Sequence, residues 1–133
     1  MKLLFMCVAN SARSQLAEAV AKSILKNDAQ VWSAGSSPKS VHPLTIECLR
    51  ANHLDYRELR SKSLSELPQE FLKNIDYIIT LCAEEVCPVL PNTNAKKLHW
   101  PLTDPAASPS LETFQTVLDE IKTRVSKLHQ ELT

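Results

Sequence analysis

The segment Cys7-Val8-Ala9-Asn10-Ser11-Ala12-Arg13 puts a thiol and a guanidinium at the two ends of a five-residue spacer. If a strand ends at Cys7 and a helix begins near Arg13, the loop's backbone N–H groups and the helix N-terminus face a common centre. Such a loop is ready for an anion. The Arg13 fork matches two oxygens of a tetrahedral oxyanion. The same positive field favours the ionised form of Cys7, and Ser14 is placed to donate a hydrogen bond to it. Cys7 then becomes a nucleophile already facing its substrate. The spacing alone also fits a blander arrangement, a buried cysteine closing a strand with Arg13 on the surface.

Two further places carry reactive groups. Asp104-Pro105 follows His99-Trp100-Pro101-Leu102-Thr103. A carboxylic acid on a separate loop can protonate the oxygen that leaves when a thiolate attacks a phosphate-like centre. By itself an Asp-Pro pair marks a turn. Cys82 and Cys87 flank Ala83-Glu84-Glu85-Val86. Their readings are a metal site, two structural thiols, or a redox pair. No second cysteine pair or nearby histidine pair completes a zinc site, so no metal is expected and no cofactor is called for. At this spacing the two thiols do not share one face of an ideal helix. Joining them requires a loop or local unwinding, because their Cα atoms must come within roughly 7 Å.

The elements that must position these groups alternate in type. Residues 2–8 form a short apolar run of strand length. From Ser14, Leu16, Val20 and Ile24 recur every fourth residue beside Ala17 and Ala21, and Asn27-Asp28 closes that helix. Val31 to Ala34 is a second strand, ended by Gly35, the only glycine. Pro43 opens a second helix that runs to about Ala51. Ser65 to Asn74 is a weaker helical stretch that must tolerate Pro68. Asp76 to Leu81 and Lys96 to Trp100 are the third and fourth strands. Leu111, Phe114, Leu118, Ile121, Val125, Leu128 and Leu132 mark a last helix, with Ser108 as N-cap and Pro109 at its first position. Its stripe reads as a core face rather than a coiled-coil seam. Strands alternating with helices predict an α/β fold with a four-stranded parallel sheet and helices on both faces. In such folds ligands sit beyond the carboxyl ends of the strands. Cys7, Cys82 and Asp104 each fall just after a predicted strand, and so are expected to converge on one sheet edge.

The length of 133 residues fits a single domain spanning 1–133. Lys plus Arg and Asp plus Glu each number 15, which argues against a nucleic-acid surface or a polybasic membrane contact. An anion site must then be local. The apolar start is short for a signal peptide, and Met6 is bulky where a lipoprotein cleavage site wants a small residue. A cytoplasmic location is therefore expected, where cysteines stay reduced, catalytic or metal-binding. Cys48 reads as a core residue, His42 as a cap or loop residue, and a monomer is the default.

Cys7-Val-Ala-Asn-Ser-Ala-Arg-Ser-Gln-Leu-Ala-Glu-Ala19 closely resembles the signature of the low-molecular-weight tyrosine phosphatase fold. It is most similar to the arsenate reductases within that fold. The resemblance implies Cys7 as nucleophile, Asn10 and Arg13 as loop-shaping and oxyanion-binding residues, and Ser14 as the thiolate's partner. Val8, Ala9, Ser11 and Ala12 complete the oxyanion loop, with Ala9 where the family often has glycine. It implies Asp104 as general acid. Ala106-Ala107 follow where the phosphatases carry aromatic residues, so a small inorganic substrate fits better than phosphotyrosine. Cys7, Cys82 and Cys87 together resemble the three thiols of the thioredoxin-coupled reductases. That implies reduction of arsenate to arsenite through a Cys7–Cys82 and then a Cys82–Cys87 disulfide, with thioredoxin as reductant. The four-residue spacer of the pair is shorter than in some relatives. The alternative is a phosphatase working through phosphocysteine at Cys7; phosphate and sulfate are then fellow ligands of the loop. In some relatives a potassium ion sits behind the loop, held partly by a carboxylate after a serine. Here the matching stretch is Ser61-Lys62-Ser63, and the Lys62 ammonium is expected to replace the cation. Glu18 and Ser33, ligand candidates by resemblance, otherwise read as a surface glutamate and a strand-end serine.

Overall fold

The apolar run at the start of the chain alternates its two faces between two cores. β1 (Lys2–Cys7) sends Leu3 and Phe5 into one cluster and Leu4 and Met6 into another, all fully buried. A strand buried on both faces belongs at the centre of a parallel sheet, and the computed structural model, which describes residues 1–83 and 94–132, places it there. β1 lies between β2 (Gln30–Gly35) and β3 (Tyr77–Thr80), and β4 (Lys96–His99) forms the far edge. All three pairings are parallel, with Cys7 opposite Gly35 and Met6 opposite Thr80. The order β2-β1-β3-β4 reverses direction at β1, and the crevice at such a switch point is where ligands of open α/β sheets bind.

The helices take both faces. α1 (Arg13–Leu25), α2 (Pro43–Ala51) and α4 (Leu111–Leu132) share the core of Leu3, Phe5 and Ile79. α3 (Gln69–Lys73) covers the other face, where Phe71, Leu67 and Ile75 pack on Leu4, Met6 and Ile78. The stripe on α4 is a core face: Phe114, Leu118, Ile121, Val125 and Leu128 are buried, and only its end members Leu111 and Leu132 are exposed. α1 is enclosed through most of its length, from Arg13 to Ala21.

Two expected boundaries move. The stretch from Ser65 to Asn74 is a short 3-10 turn, Leu64–Glu66, followed by α3. Leu67 is extended at φ −84° and ψ 151°, because the ring of Pro68 disfavours the helical region for the residue before it. The last helix begins at Leu111, not at Pro109. Ser110 and Thr113 exchange bonds at its start: Thr113 N–H donates to Ser110 Oγ at 3.1 Å and Ser110 N–H to Thr113 Oγ1 at 3.2 Å. That reciprocal cap satisfies helix donors that Ser108, two residues earlier, does not reach. No helix among the described residues is long and apolar enough to cross a membrane.

Candidate active site

Cys7 ends β1, and the chain leaves the sheet through a loop whose carbonyls are tied outward. Ser37 N–H donates to Val8 O at 2.9 Å, Lys39 N–H to Ala9 O at 2.9 Å, and His42 N–H to Ser11 O at 3.0 Å. In a trans peptide the next N–H points away from the carbonyl before it. Tying those three carbonyls to segment 36–42 therefore turns the amides of Ala9, Asn10 and Ala12 to the opposite side. Asn10 N–H confirms the direction, donating to Cys7 Sγ at 3.3 Å. Ser14 Oγ lies 2.9 Å from the same sulfur. Cys7 is a free thiol, 2% exposed.

Asn10 makes the loop possible. It adopts φ 49°, the left-handed region that asparagine tolerates better than most residues. Its side-chain amide is fully used. Nδ2 donates to Ser14 Oγ at 2.7 Å and Ser33 Oγ at 3.0 Å, and Oδ1 accepts from Lys62 N–H at 3.0 Å and Gln15 Nε2 at 2.9 Å. An amide has two donors and two acceptor sites, so this one is satisfied. Gly35 faces the same loop. A Cβ there would collide with Val8 O and come within 3.0 Å of Asn10 N. That close approach explains why the chain's single glycine stands at this strand end.

Arg13, 4% exposed, opens α1 and donates through Nη1 to Leu102 O at 3.0 Å and, at 3.5 Å, to Leu81 O. These bonds fix the guanidinium between the end of β3 and the segment that leads to Asp104. Asp104 caps a 3-10 turn over Pro105–Ala107, accepting from Ala106 N–H at 3.0 Å. Its turn role and its place in the cleft coexist. A cleft of about 430 Å³ takes in Cys7, Arg13 and Asp104 together with Lys39 and His42. Val8, Ala9, Ser11 and Ala12 line it too. Asn10 is fully buried behind it. Cys82 is not part of this lining; it is 2% exposed and disulfide-bonded. Cys87 lies outside the described residues.

Behind the loop sits a buried ion pair. Lys62 Nζ is 3.2 Å from Glu18 Oε1, 3.1 Å from Arg60 O and 3.4 Å from Ser33 Oγ, and both charged side chains are 3% exposed. Burial pushes the Lys62 ammonium down from its usual range, and the Glu18 carboxylate opposes that shift. Glu18 is thus no surface residue. α1 is packed on all sides here, and the carboxylate is held by Ser33 Oγ at 2.8 Å and by Lys22 at 3.0 Å. The oxygens that would hold a cation at this place are already engaged by the ammonium, so the residues present do not fit a bound potassium ion. Among the described residues no three His, Cys, Asp or Glu side chains cluster as they would around a metal ion. Cys48 is core as expected, and burial raises its thiol above the usual value.

Sequence reading missed the role of segment 36–42. Its residues carry no spacing signal, because their partners are backbone carbonyls about thirty positions away. The proline after His42 was the one local clue: His42 caps α2, its Nδ1 accepting from Leu44 N–H at 3.0 Å.

A buried thiol amid inward-turned amides, at the switch point of a four-stranded parallel sheet, defines the class: an α/β protein built around one cysteine loop. The sequence pattern of the low molecular weight phosphotyrosine protein phosphatases matches residues 2–133, and the chain belongs to that enzyme family. It is 42% identical over 120 residues to an arsenate reductase of Staphylococcus aureus (strain Newman), covering 89% of this chain and 88% of the relative. A solved arsenate reductase in a phosphate-binding state superposes with a TM-score of 0.83 at 31% identity, covering 99% of this chain and 98% of that one. The thioredoxin-dependent arsenate reductase of Corynebacterium glutamicum superposes with a TM-score of 0.76 at 30% identity, over 98% of this chain and 60% of that one.

Proposed function

We propose that this chain, acting as one domain over residues 1–133, reduces arsenate to arsenite. The observation that carries the reading is the free Cys7 thiol, set at the focus of amides whose carbonyls are tied away from it. Arsenate sits in the loop 7–13 with its oxygens on those amides and on Arg13. Cys7 attacks arsenic, and Asp104 protonates the departing oxygen. Cys82 attacks the Cys7 sulfur, two electrons pass to arsenic, and arsenite leaves with Cys7–Cys82 formed. Cys87 attacks Cys82 and frees Cys7, and a dithiol protein reduces the Cys82–Cys87 disulfide. The C. glutamicum relative is thioredoxin-dependent, which supports thioredoxin as that dithiol protein. Cys82 is disulfide-bonded while Cys7 is a free thiol, and the relay requires that these two thiols can stand in different redox states. The inorganic substrate is favoured by Ala106 in the cleft, which offers no aromatic wall to an aryl ester.

The test is a single turnover. Fully reduced protein is mixed with arsenate and no other reductant, arsenite is measured, and disulfides are mapped by mass spectrometry. The expected result is near-stoichiometric arsenite with Cys82 and Cys87 joined. Four free thiols and no arsenite would overturn the relay, and hydrolysis of phosphate esters would then identify a phosphatase.

A further inference from the structure

We propose that His42 binds the substrate, its Nε2–H donating to the outward oxygen of the oxyanion held over Cys7; this rests on the oxyanion reading of the cleft. The tautomer follows from the cap. Nδ1 accepts the Leu44 N–H at 3.0 Å, so it carries a lone pair, and in the neutral ring the proton must be on Nε2. Among the described residues Nε2 makes no hydrogen bond, and His42 lines the same cleft as Cys7, Arg13 and Asp104.

The ring is positioned rather than loose. His42 N–H donates to Ser11 O at 3.0 Å, Thr45 Oγ1 donates to that oxygen at 2.9 Å, and the Phe114 ring lies 5.0 Å from the imidazole. The donor is therefore fixed to the loop that holds the anion. A tetrahedral anion seated with one face on the amides and Arg13 turns its fourth oxygen outward, into the space shared by His42 and Asp104. A neutral donor there orients that oxygen for protonation without adding another charge. Lys39, exposed in the same cleft, supplies charge without that directionality.

Two substitutions separate this role from the cap. His42→Asn keeps an oxygen that can accept the Leu44 N–H, since asparagine is a good N-cap, but loses the Nε2–H; His42→Ala loses both. The reduced full-length chain is treated with iodoacetamide over a range of inorganic phosphate, and alkylation of Cys7 is followed on its own peptide. Thermal melting is recorded in parallel. The expected result is that both variants need about tenfold more phosphate to protect Cys7, the size of one hydrogen bond to a charged group at a cleft mouth. His42→Ala, which loses the cap as well as the ring contact with Phe114, should melt earlier than His42→Asn. Protection equal to wild type in His42→Asn, with loss confined to His42→Ala, would show that His42 acts only as a cap and overturn the proposal. So would a wild type whose Cys7 phosphate does not protect. Arsenite yield is measured on the same samples. Wild-type protein that binds phosphate yet makes no arsenite removes the reductase reading while leaving the role of His42 decided by the binding.

Discussion

Removing the Lys62 ammonium tests the reasoning about the buried pair behind the loop. In Lys62→Met the chain keeps a side chain of similar length but leaves the Glu18 carboxylate, 3% exposed, without its 3.2 Å partner. Breaking a buried pair from one side costs about 3–5 kcal/mol, because the remaining charge stays desolvated. Glu18 keeps Ser33 at 2.8 Å and the half-exposed Lys22 at 3.0 Å, which places the cost at the lower end, about 3 kcal/mol. An unfolding entropy of about 2.1 cal/mol/K per residue gives about 0.28 kcal/mol/K for a chain of 133 residues. The melting temperature should then fall by about 10 °C. The double variant Glu18→Gln/Lys62→Met, which removes both charges, should recover much of that loss. The assay is thermal unfolding by circular dichroism with all cysteines reduced. A shift under about 3 °C in the single variant, or a double variant no better than the single one, would refute the reasoning. The same geometry predicts that the wild-type rate does not depend on potassium over sodium; a clear dependence would show that Lys62 does not stand in for a cation.

Gly35→Ala pushes a methyl group into Val8 O and lowers stability by about 1–3 kcal/mol. It should also weaken phosphate protection of Cys7, and unchanged melting and protection would contradict the close approach. Asp104→Asn keeps an acceptor for the Ala106 N–H but cannot donate a proton, so single-turnover arsenite formation should slow by roughly 10²–10⁴ while melting stays put. A variant that turns over at the wild-type rate would remove Asp104 as the acid. Asp55 is held at about 2 by the Arg57 guanidinium and by the Arg57 backbone N–H, well below its unperturbed 3.8. Its folded value is depressed, so its contribution is present above 3.8 and is lost as the pH falls toward 2. Acid titration should therefore destabilise wild type more than Asp55→Asn over that window; parallel titration curves would show that the pair contributes nothing. The effect is small, because both side chains are exposed to solvent.

Local pattern carried the loop and the order of elements. Cys7, Arg13 and Ser14 sit within eight residues, so one strand end and one helix start suffice to bring them together. The alternating strands and helices determined a parallel sheet, and the apolar stripe on α4 determined its core face. Helix boundaries were less legible where two signals competed: Ser110 capped α4 ahead of Ser108, and Pro68 split a stretch that reads as one helix. What the sequence could not determine depends on long-range packing. Segment 36–42 acts through backbone donors, which every residue but proline possesses, so no side-chain pattern marks it. Glu18 reads as a surface residue because charged side chains are almost never fully buried unless paired. Its partner Lys62 lies 44 positions away, and only the folded chain puts the two 3.2 Å apart. The tautomer of His42 is set locally, by the Leu44 N–H two residues on, but only the folded chain brings that ring into one cleft with Cys7 and Asp104.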